Sequence, residues 1–447
     1  MLPKILRILL ALLLLRLLLM AFIPVFEPSE ARYAAISANM ARTGDFVVPR
    51  FTHNAEYQSF DGKPPLVFQA GGLFAKALGT DRPVSLQLSV RLFPLLSALA
   101  LLVILYRSVK RRSDAATAAL AVAVCATATA FYAAAGIAMT DMTLTCCVAG
   151  ALLAYRTFAD DFRLRTAALV AALLGAGMVT KGPVALVMFG LPVLADAALN
   201  RRWRAFLNWR WLVVSPVFLA VAVPWFVCIE RVNPGAVWYF FYNENFLRFV
   251  SHDYGDRYGA GREAFRGVSI LWALVATLPW SLAPVWSLVQ RLRTRPSPAG
   301  LFHAALVRLR GPAGFEWTAV FAIVGFWCLT SRVLLYYLFP VVPLFAAGLA
   351  LDGPRQRLER LVPWGALVSA LVVGLGLVGG ALFSDKMQGP RTRFHPLENH
   401  YAVEFYHGTP PPAELAVARE IFLQRQKARE ERKAREAAAA AAKERAQ

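Results

Sequence analysis

The chain has 447 residues, of which 57% are hydrophobic and only 17% charged. Soluble globular domains carry about 25% charged residues, so an ordinary water-soluble enzyme is excluded and a membrane protein indicated. The net charge of +20 would suit nucleic acid, but the basic residues sit in clusters between apolar runs. That is the pattern of inner-face loops beside anionic lipid, and no nucleic-acid partner is expected.

The first apolar run, 1–26, opens with Lys4 and Arg7 and contains Arg16. It is longer than a signal-peptide core of about 7–15 residues and lacks a small-x-small cleavage site. It reads as an uncleaved first span. Further apolar runs fall at about 86–106, 115–138, 142–158, 166–180, 183–199, 211–230, 267–289, 315–331, 333–351 and 363–384, each close to the roughly 20 residues a span needs. With the N-terminus inside, every inner loop is basic. The loops carry Arg107, Lys110, Arg111 and Arg112, then Arg156, Arg163 and Arg165, then Arg201 to Arg210, Arg291 to Arg295, and Arg355 to Arg360. This positive-inside pattern puts the two long mixed-charge segments, 27–85 and 231–266, outside. The segment after Ser384 falls outside as well. Its stretch 412–447 is rich in helix formers and charge and has no periodic apolar stripe, so a solvated helix or frayed tail is expected. The five cysteines, Cys125, Cys146, Cys147, Cys228 and Cys328, lie in or beside apolar runs without metal-ligand spacing, as small buried hydrophobes do.

On this topology five polar sets converge on the outer side. They are Glu27, Ser29, Glu30 and Arg32; Asp61 and Lys63 at the Pro64-Pro65 re-entry; Asp141; Lys181 in Thr180-Lys181-Gly182-Pro183; and Asn243-Glu244-Asn245-Phe246-Leu247-Arg248-Phe249, with Tyr336-Tyr337 near a later span. Ionisable groups at membrane depth are costly and mark polar cavities or substrate paths. Bland alternatives stand beside each. Lys181 can snorkel to outer headgroups, Asp141 can cap the following helix, and Arg32 can pair with Glu30 on a surface helix. Together, Lys63, Lys181, Arg32 and Arg248 suit a phosphate held by charge-assisted bonds. The acids suit orientation or deprotonation of a hydroxyl. A lipid phosphate with its tail in the bilayer and a sugar projecting outward would use both. No P-loop or Rossmann fingerprint points elsewhere.

These residues resemble the membrane glycosyltransferases of the GT-C type, above all the bacterial branch of lipid A aminoarabinose transferases and protein O-mannosyltransferase-like enzymes. The matching pieces, in family order over 27–350, are Glu30-x-Arg32-Tyr33-Ala34, Gly44-Asp45-Phe46-x-x-Pro49-Arg50, Lys63-Pro64-Pro65-Leu66, Asp141-Met142, Thr180-Lys181-Gly182-Pro183, Pro224-Trp225-Phe226, Arg248-Phe249 and Tyr336-Tyr337 before Pro340. The resemblance implies an inverting transferase with two amphipathic helices in the first outer loop. It implies that Lys63, Arg248 and a tyrosine of the Tyr336-Tyr337 pair contact the lipid phosphate, and that Arg32 and Asp141 shape the sugar and acceptor site. Three departures qualify it. Ser29 and Glu30 stand where the family has an acidic pair, leaving Glu30 or Glu27 to supply a catalytic carboxylate. Asp61-Gly62-Lys63 replaces Glu-Lys before the prolines. Asn245 replaces a histidine three residues before the arginine. The last two remove a metal-binding pattern, so no firmly bound zinc is expected.

The reading is therefore an all-α polytopic bundle of about eleven transmembrane helices over 1–384, with a polar tail at 385–447. It is expected to lie in a bacterial inner membrane with its site facing the periplasm. Its expected activity is sugar transfer from a polyprenyl-phosphate carrier to lipid A, another envelope glycan or an exported protein. A transporter or flippase of a lipid-linked sugar is the alternative. Expected catalytic residues are Glu30, Asp141 and Glu27. Expected phosphate ligands are Lys63, Arg248, Tyr337, Lys181 and Arg32.

Overall fold

A computed structural model describes residues 2–51, 59–250, 263–293, 297–384, 386–391, 393, 400–408 and six single positions between 413 and 431. Among these residues the protein is built from helices, with one two-stranded antiparallel ribbon of β1 (Val25–Phe26) and β2 (Met387–Gln388). Every apolar run predicted above carries helix. The first half contains α1 (Leu2–Phe22), α2 (Ser29–Thr43), α3 (Leu66–Leu78), α4 (Pro83–Arg112), α5 (Ala115–Ala126), α6 (Thr129–Ala134), α7 (Thr140–Asp161), α8 (Leu164–Lys181) and α9 (Val184–Asn200). After α10 (Trp203–Phe206) and α11 (Arg210–Val232) come the short α12 (Ala236–Trp238), a π-helical stretch Tyr239–Leu247 and α13 (Arg248–Val250). The second half holds α14 (Val268–Ala276), α15 (Leu282–Arg293), α16 (Pro298–Leu309), α17 (Gly314–Cys328), a 3-10 turn Leu335–Leu338, α18 (Val341–Asp352), α19 (Arg355–Phe383) and α20 (His400–His407).

Six of these helices, α1, α4, α7, α8, α11 and α19, are long and apolar enough to cross a membrane. The protein is thus a multi-pass membrane protein. Leucine side chains of α1 and α19 stay exposed along their lengths, among them Leu6, Leu10, Leu14, Leu371, Leu375 and Leu382. Such a surface is stable only against hydrocarbon.

Two predicted spans are broken. Residues 115–138 leave the helix at Thr127-Ala128, where Ala128 is extended. Residues 267–289 leave it at 277–281. The breaks face each other and satisfy each other's polar groups, as backbone away from water must. The Thr129 N–H donates to the Leu278 carbonyl at 2.9 Å, Trp280 Nε1 to Thr127 Oγ1 at 3.1 Å, and Ser369 Oγ to the Thr127 carbonyl at 2.8 Å. Arg16, the charge inside the first span, is buried and donates to the Ala133 carbonyl at 2.6 Å. It lies against Gly136, where any Cβ would overlap the guanidinium.

The first outer loop contains two helices, α2 and α3, as the family resemblance implies. They enclose a small core of Ile36, Met40, Phe51, Phe60, Phe68, Leu86 and Val90. The core is completed from the far end of the chain, by Tyr401 and Phe405 of α20. Sequence reading assigned α20 no role. Most of the 412–447 stretch expected to be solvated lies outside the described residues.

Candidate functional site

The site begins with a loop that its own residues stiffen. Two prolines fix φ at Pro64 and Pro65, and Asp61 accepts from Ser59 Oγ at 3.3 Å and from Asn233 Nδ2 at 3.0 Å. This ties the loop to the C-terminal end of α11. Lys63 is thereby aimed inward, its ammonium donating to the Gly62 carbonyl at 2.7 Å and standing 3.7 Å from Glu244 Oε2. Burial pulls its pKa down to about 8, against the opposing pull of Glu244.

Glu244 and Arg248 come from the π-helical stretch and the turn that follows it. Glu244 accepts from Tyr239 Oη at 3.2 Å and from Arg248 Nη1 at 3.0 Å, while Arg248 Nη2 reaches Tyr337 Oη at 3.5 Å. Tyr337 stands on the 3-10 turn because the predicted span 333–351 becomes α-helical only after Pro340. The missing N–H there and the restricted residue before it oppose continuous helix. Lys181 closes the ring from the end of α8. Its ammonium lies 2.5 Å from Asp141 Oδ1 and sits over the Tyr337 ring, 4.5 Å from the centroid, with Tyr336 at 5.4 Å. The turn that places it needs Gly182, which has φ +84° and a Phe240 ring where a Cβ would be.

Lys63, Lys181, Glu244, Asn245, Arg248, Arg332 and Tyr337 line one cavity of about 280 Å³. The rest of its lining is largely apolar and includes Leu144, Val187, Met188, Phe249, Phe326 and Trp327. Cations and hydrocarbon in one lining suit an amphiphile with an anionic head. Among the described residues no group of three or more His, Cys, Asp and Glu side chains is placed to hold a metal ion.

The structure divides the sequence candidates. Lys63, Lys181, Arg248 and Tyr337 share the cavity, and Asp141 is joined to it through Lys181. Asp141 does not cap α7, whose N-cap is Met139. Glu30, Glu27 and Arg32 line no part of it, which corrects the expectation of one shared site. Glu30 is buried and accepts from Arg91 Nε at 2.8 Å, the Ala138 N–H at 3.0 Å and the Phe26 N–H at 3.0 Å. The same Arg91 donates to the carbonyls of Met20, Ile23 and Pro24. Arg32, expected at the phosphate, lies over the Tyr401 ring at 4.9 Å and the Phe60 ring at 5.9 Å. Glu27 accepts the Ala402 N–H at 2.7 Å, and burial pushes its pKa up to about 7. Arg332 and the bridging place of Glu244 escaped sequence reading. The available signals were an arginine in a short outer connection and an acid four residues before Arg248, on the same helical face.

By fold the chain is an all-α polytopic membrane protein. It superimposes on the crystal structure of ArnT from Cupriavidus metallidurans bound to undecaprenyl phosphate with a TM-score of 0.66 at 20% identity, over 95% of this chain and 89% of that one. In sequence it is similar to the aminoarabinose transferase and protein mannosyltransferase branch. Residues 63–227 match the family model of dolichyl-phosphate-mannose-protein mannosyltransferases. Undecaprenyl phosphate-alpha-4-amino-4-deoxy-L-arabinose arabinosyl transferases from Edwardsiella ictaluri and Pectobacterium atrosepticum are each 26% identical, over 62% and 79% of this chain. Those alignments take in 49% and 60% of the relatives, so the chain spans about half the length of the curated relatives it matches.

Proposed function

We propose that this protein is an inverting glycosyltransferase that moves a sugar from a polyprenyl-phosphate carrier to lipid A, another envelope glycan or an exported protein, on the periplasmic face of a bacterial inner membrane. The observation that carries the reading is the convergence of Lys63, Lys181, Arg248 and Tyr337 on one cavity whose remaining lining is largely apolar. The basic inner loops support the orientation, and the names of the similar proteins support the donor class.

In this reading the carrier phosphate lies among Lys63, Lys181 and Arg248, with Tyr337 donating a further hydrogen bond. Glu244 must give up part of its hold on Lys63 and Arg248 as the phosphate enters. An acceptor hydroxyl attacks the anomeric carbon from the face opposite the phosphate. The carbon–oxygen bond to phosphate breaks, and the electron pair leaves with the lipid monophosphate. Its charge rises by one in that step, so the cations stabilise the transition state more than the ground state. The acceptor's proton passes to Asp141, which also holds Lys181 in position. Glu30, Glu27 and Arg32 act at a distance, by fixing the first outer loop that carries Lys63.

The test is mass spectrometry of lipid A, envelope glycans and exported proteins from cells with and without the chain. Disappearance of one sugar from one acceptor supports the proposal and identifies both substrates. In reconstituted vesicles the lipid monophosphate is expected to be released. Passage of intact lipid-linked sugar without that release would favour a flippase instead.

A further inference from the structure

A second cleft lies at the other end of the α7–α8 hairpin from Asp141 and Lys181. The eighteen residues of α8 rise about 27 Å at 1.5 Å each, so this cleft belongs to the opposite membrane face. It has a volume of about 440 Å³ between α4, α7 and α8, and its rim carries Arg107 and Arg111 from α4 and Arg165 and Thr166 from α8. Ile104 and Leu169 form part of its lining, and both helices continue from there into the apolar layer.

The local charge is unbalanced. Asp161 already lies 3.0 Å from Arg111 and 3.8 Å from Arg163, and its other oxygen accepts the Arg163 N–H at 2.9 Å. Arg107 and Arg165 have no ion pair or hydrogen bond among the described residues. Cations gathered at the mouth of an apolar-walled cleft repel one another unless an anion joins them. Guanidinium groups match phosphate oxygens in planar, paired fashion.

We propose that this cleft binds the phosphate-bearing headgroup of an anionic phospholipid, with its acyl chains running along Ile104 and Leu169. Arg107 and Arg165 bind the phosphate directly, and Arg111 contributes while holding Asp161. The inference does not rest on the transferase reading. It concerns the opposite membrane face and uses none of the residues of the first cavity.

Native mass spectrometry and thermal unfolding of the full chain in detergent test it, with phosphatidylglycerol, phosphatidylcholine or inorganic phosphate added separately. The wild-type chain should retain phosphatidylglycerol in preference to phosphatidylcholine and unfold at a higher temperature with it. The R107Q/R165Q variant, which keeps the Arg111–Asp161 pair, should lose at least about tenfold in that affinity. R357Q/R360Q is the control for general attraction to a basic surface. It lies at the same membrane face, since Arg355 stands 3.5 Å from Asp114, just beyond α4. Unchanged retention by R107Q/R165Q, or an equal loss in the control, overturns the proposal. Equal stabilisation by inorganic phosphate, dependent on the same arginines, would reassign the cleft to free phosphate and overturn its lipid identity.

Discussion

Two clusters of buried charge stand out in this protein, and they differ in what surrounds them: one is bonded into the backbone, the other lines a cavity. In the knot of Glu30 and Arg91, the carboxylate takes three donors and the arginine reaches three backbone carbonyls besides. These bonds join the end of α1 to α2, α4 and the start of the α7 region. In the cavity, Lys181 pairs with Asp141 at 2.5 Å, Arg248 with Glu244 at 3.0 Å and Arg332 with Glu263 at 3.0 Å, while Lys63 stands 3.7 Å from Glu244, and all four cations line an open space of about 280 Å³. A cluster bonded into backbone fixes a fold, whereas one that lines an open cavity leaves a place for a ligand. Burial does not separate the two kinds. Their surroundings do.

Substitutions should divide along the same line. The largest expected effect is on stability in the knot. Arg91→Ala leaves Glu30 buried without its counter-ion, at about 3–5 kcal/mol, and thermal unfolding in detergent should show a steep fall or no folded protein. A wild-type unfolding temperature would remove the distinction drawn here. Next, Lys63→Ala or Arg248→Ala should lower the rate of sugar transfer by about 10²–10³, the usual cost of removing one group that stabilises developing charge, with unfolding within a few degrees of wild type. A matched loss of stability would move these residues into the structural class.

Smaller effects follow from the two shifted groups. Glu27 holds its proton more tightly in the folded chain, with a pKa of about 7. The folded state therefore binds more protons than the unfolded one between about pH 4.5 and 7. Stability should fall as pH rises through that window, and Glu27→Gln should flatten the fall in unfolding curves measured from pH 4.5 to 8. Lys63, with its pKa lowered to about 8, should lose its charge as pH rises past that value. Binding of a polyprenyl phosphate should then weaken above about pH 8, a trend that Lys63→Arg should move to higher pH. Binding that stays flat as pH passes about 8 would contradict that role for Lys63.

Much of this division was hidden in the sequence, for a physical reason. Lys63, Lys181, Arg248 and Tyr337 lie in or beside motifs whose prolines, glycine and aromatic neighbours set their direction locally. They could be read as a group before any coordinates. Glu30, Glu27 and Arg32 sit in an equally suggestive motif, but their partners are remote in sequence. Glu30 meets Arg91, Glu27 meets Ala402, and Arg32 meets Tyr401. Arg91 was itself a signal, a charge within an apolar run, and such a charge demands a named partner. The helix breaks at Thr127-Ala128 and at 277–281 were not legible, because apolar content records membrane depth and not where the backbone leaves the helix. The reach of α20 across the first outer loop was equally hidden, since eight residues in a polar tail give no periodic stripe.

The central claim is that the cavity, and not the knot, meets the lipid phosphate. It is tested most directly by reconstituting wild-type and Lys63→Ala chains with a polyprenyl-phosphate sugar and its acceptor, and measuring release of the lipid monophosphate at pH 7. The account predicts release by the wild-type chain and a drop of at least about 10²-fold in a variant that remains folded. Full release by folded Lys63→Ala would contradict it.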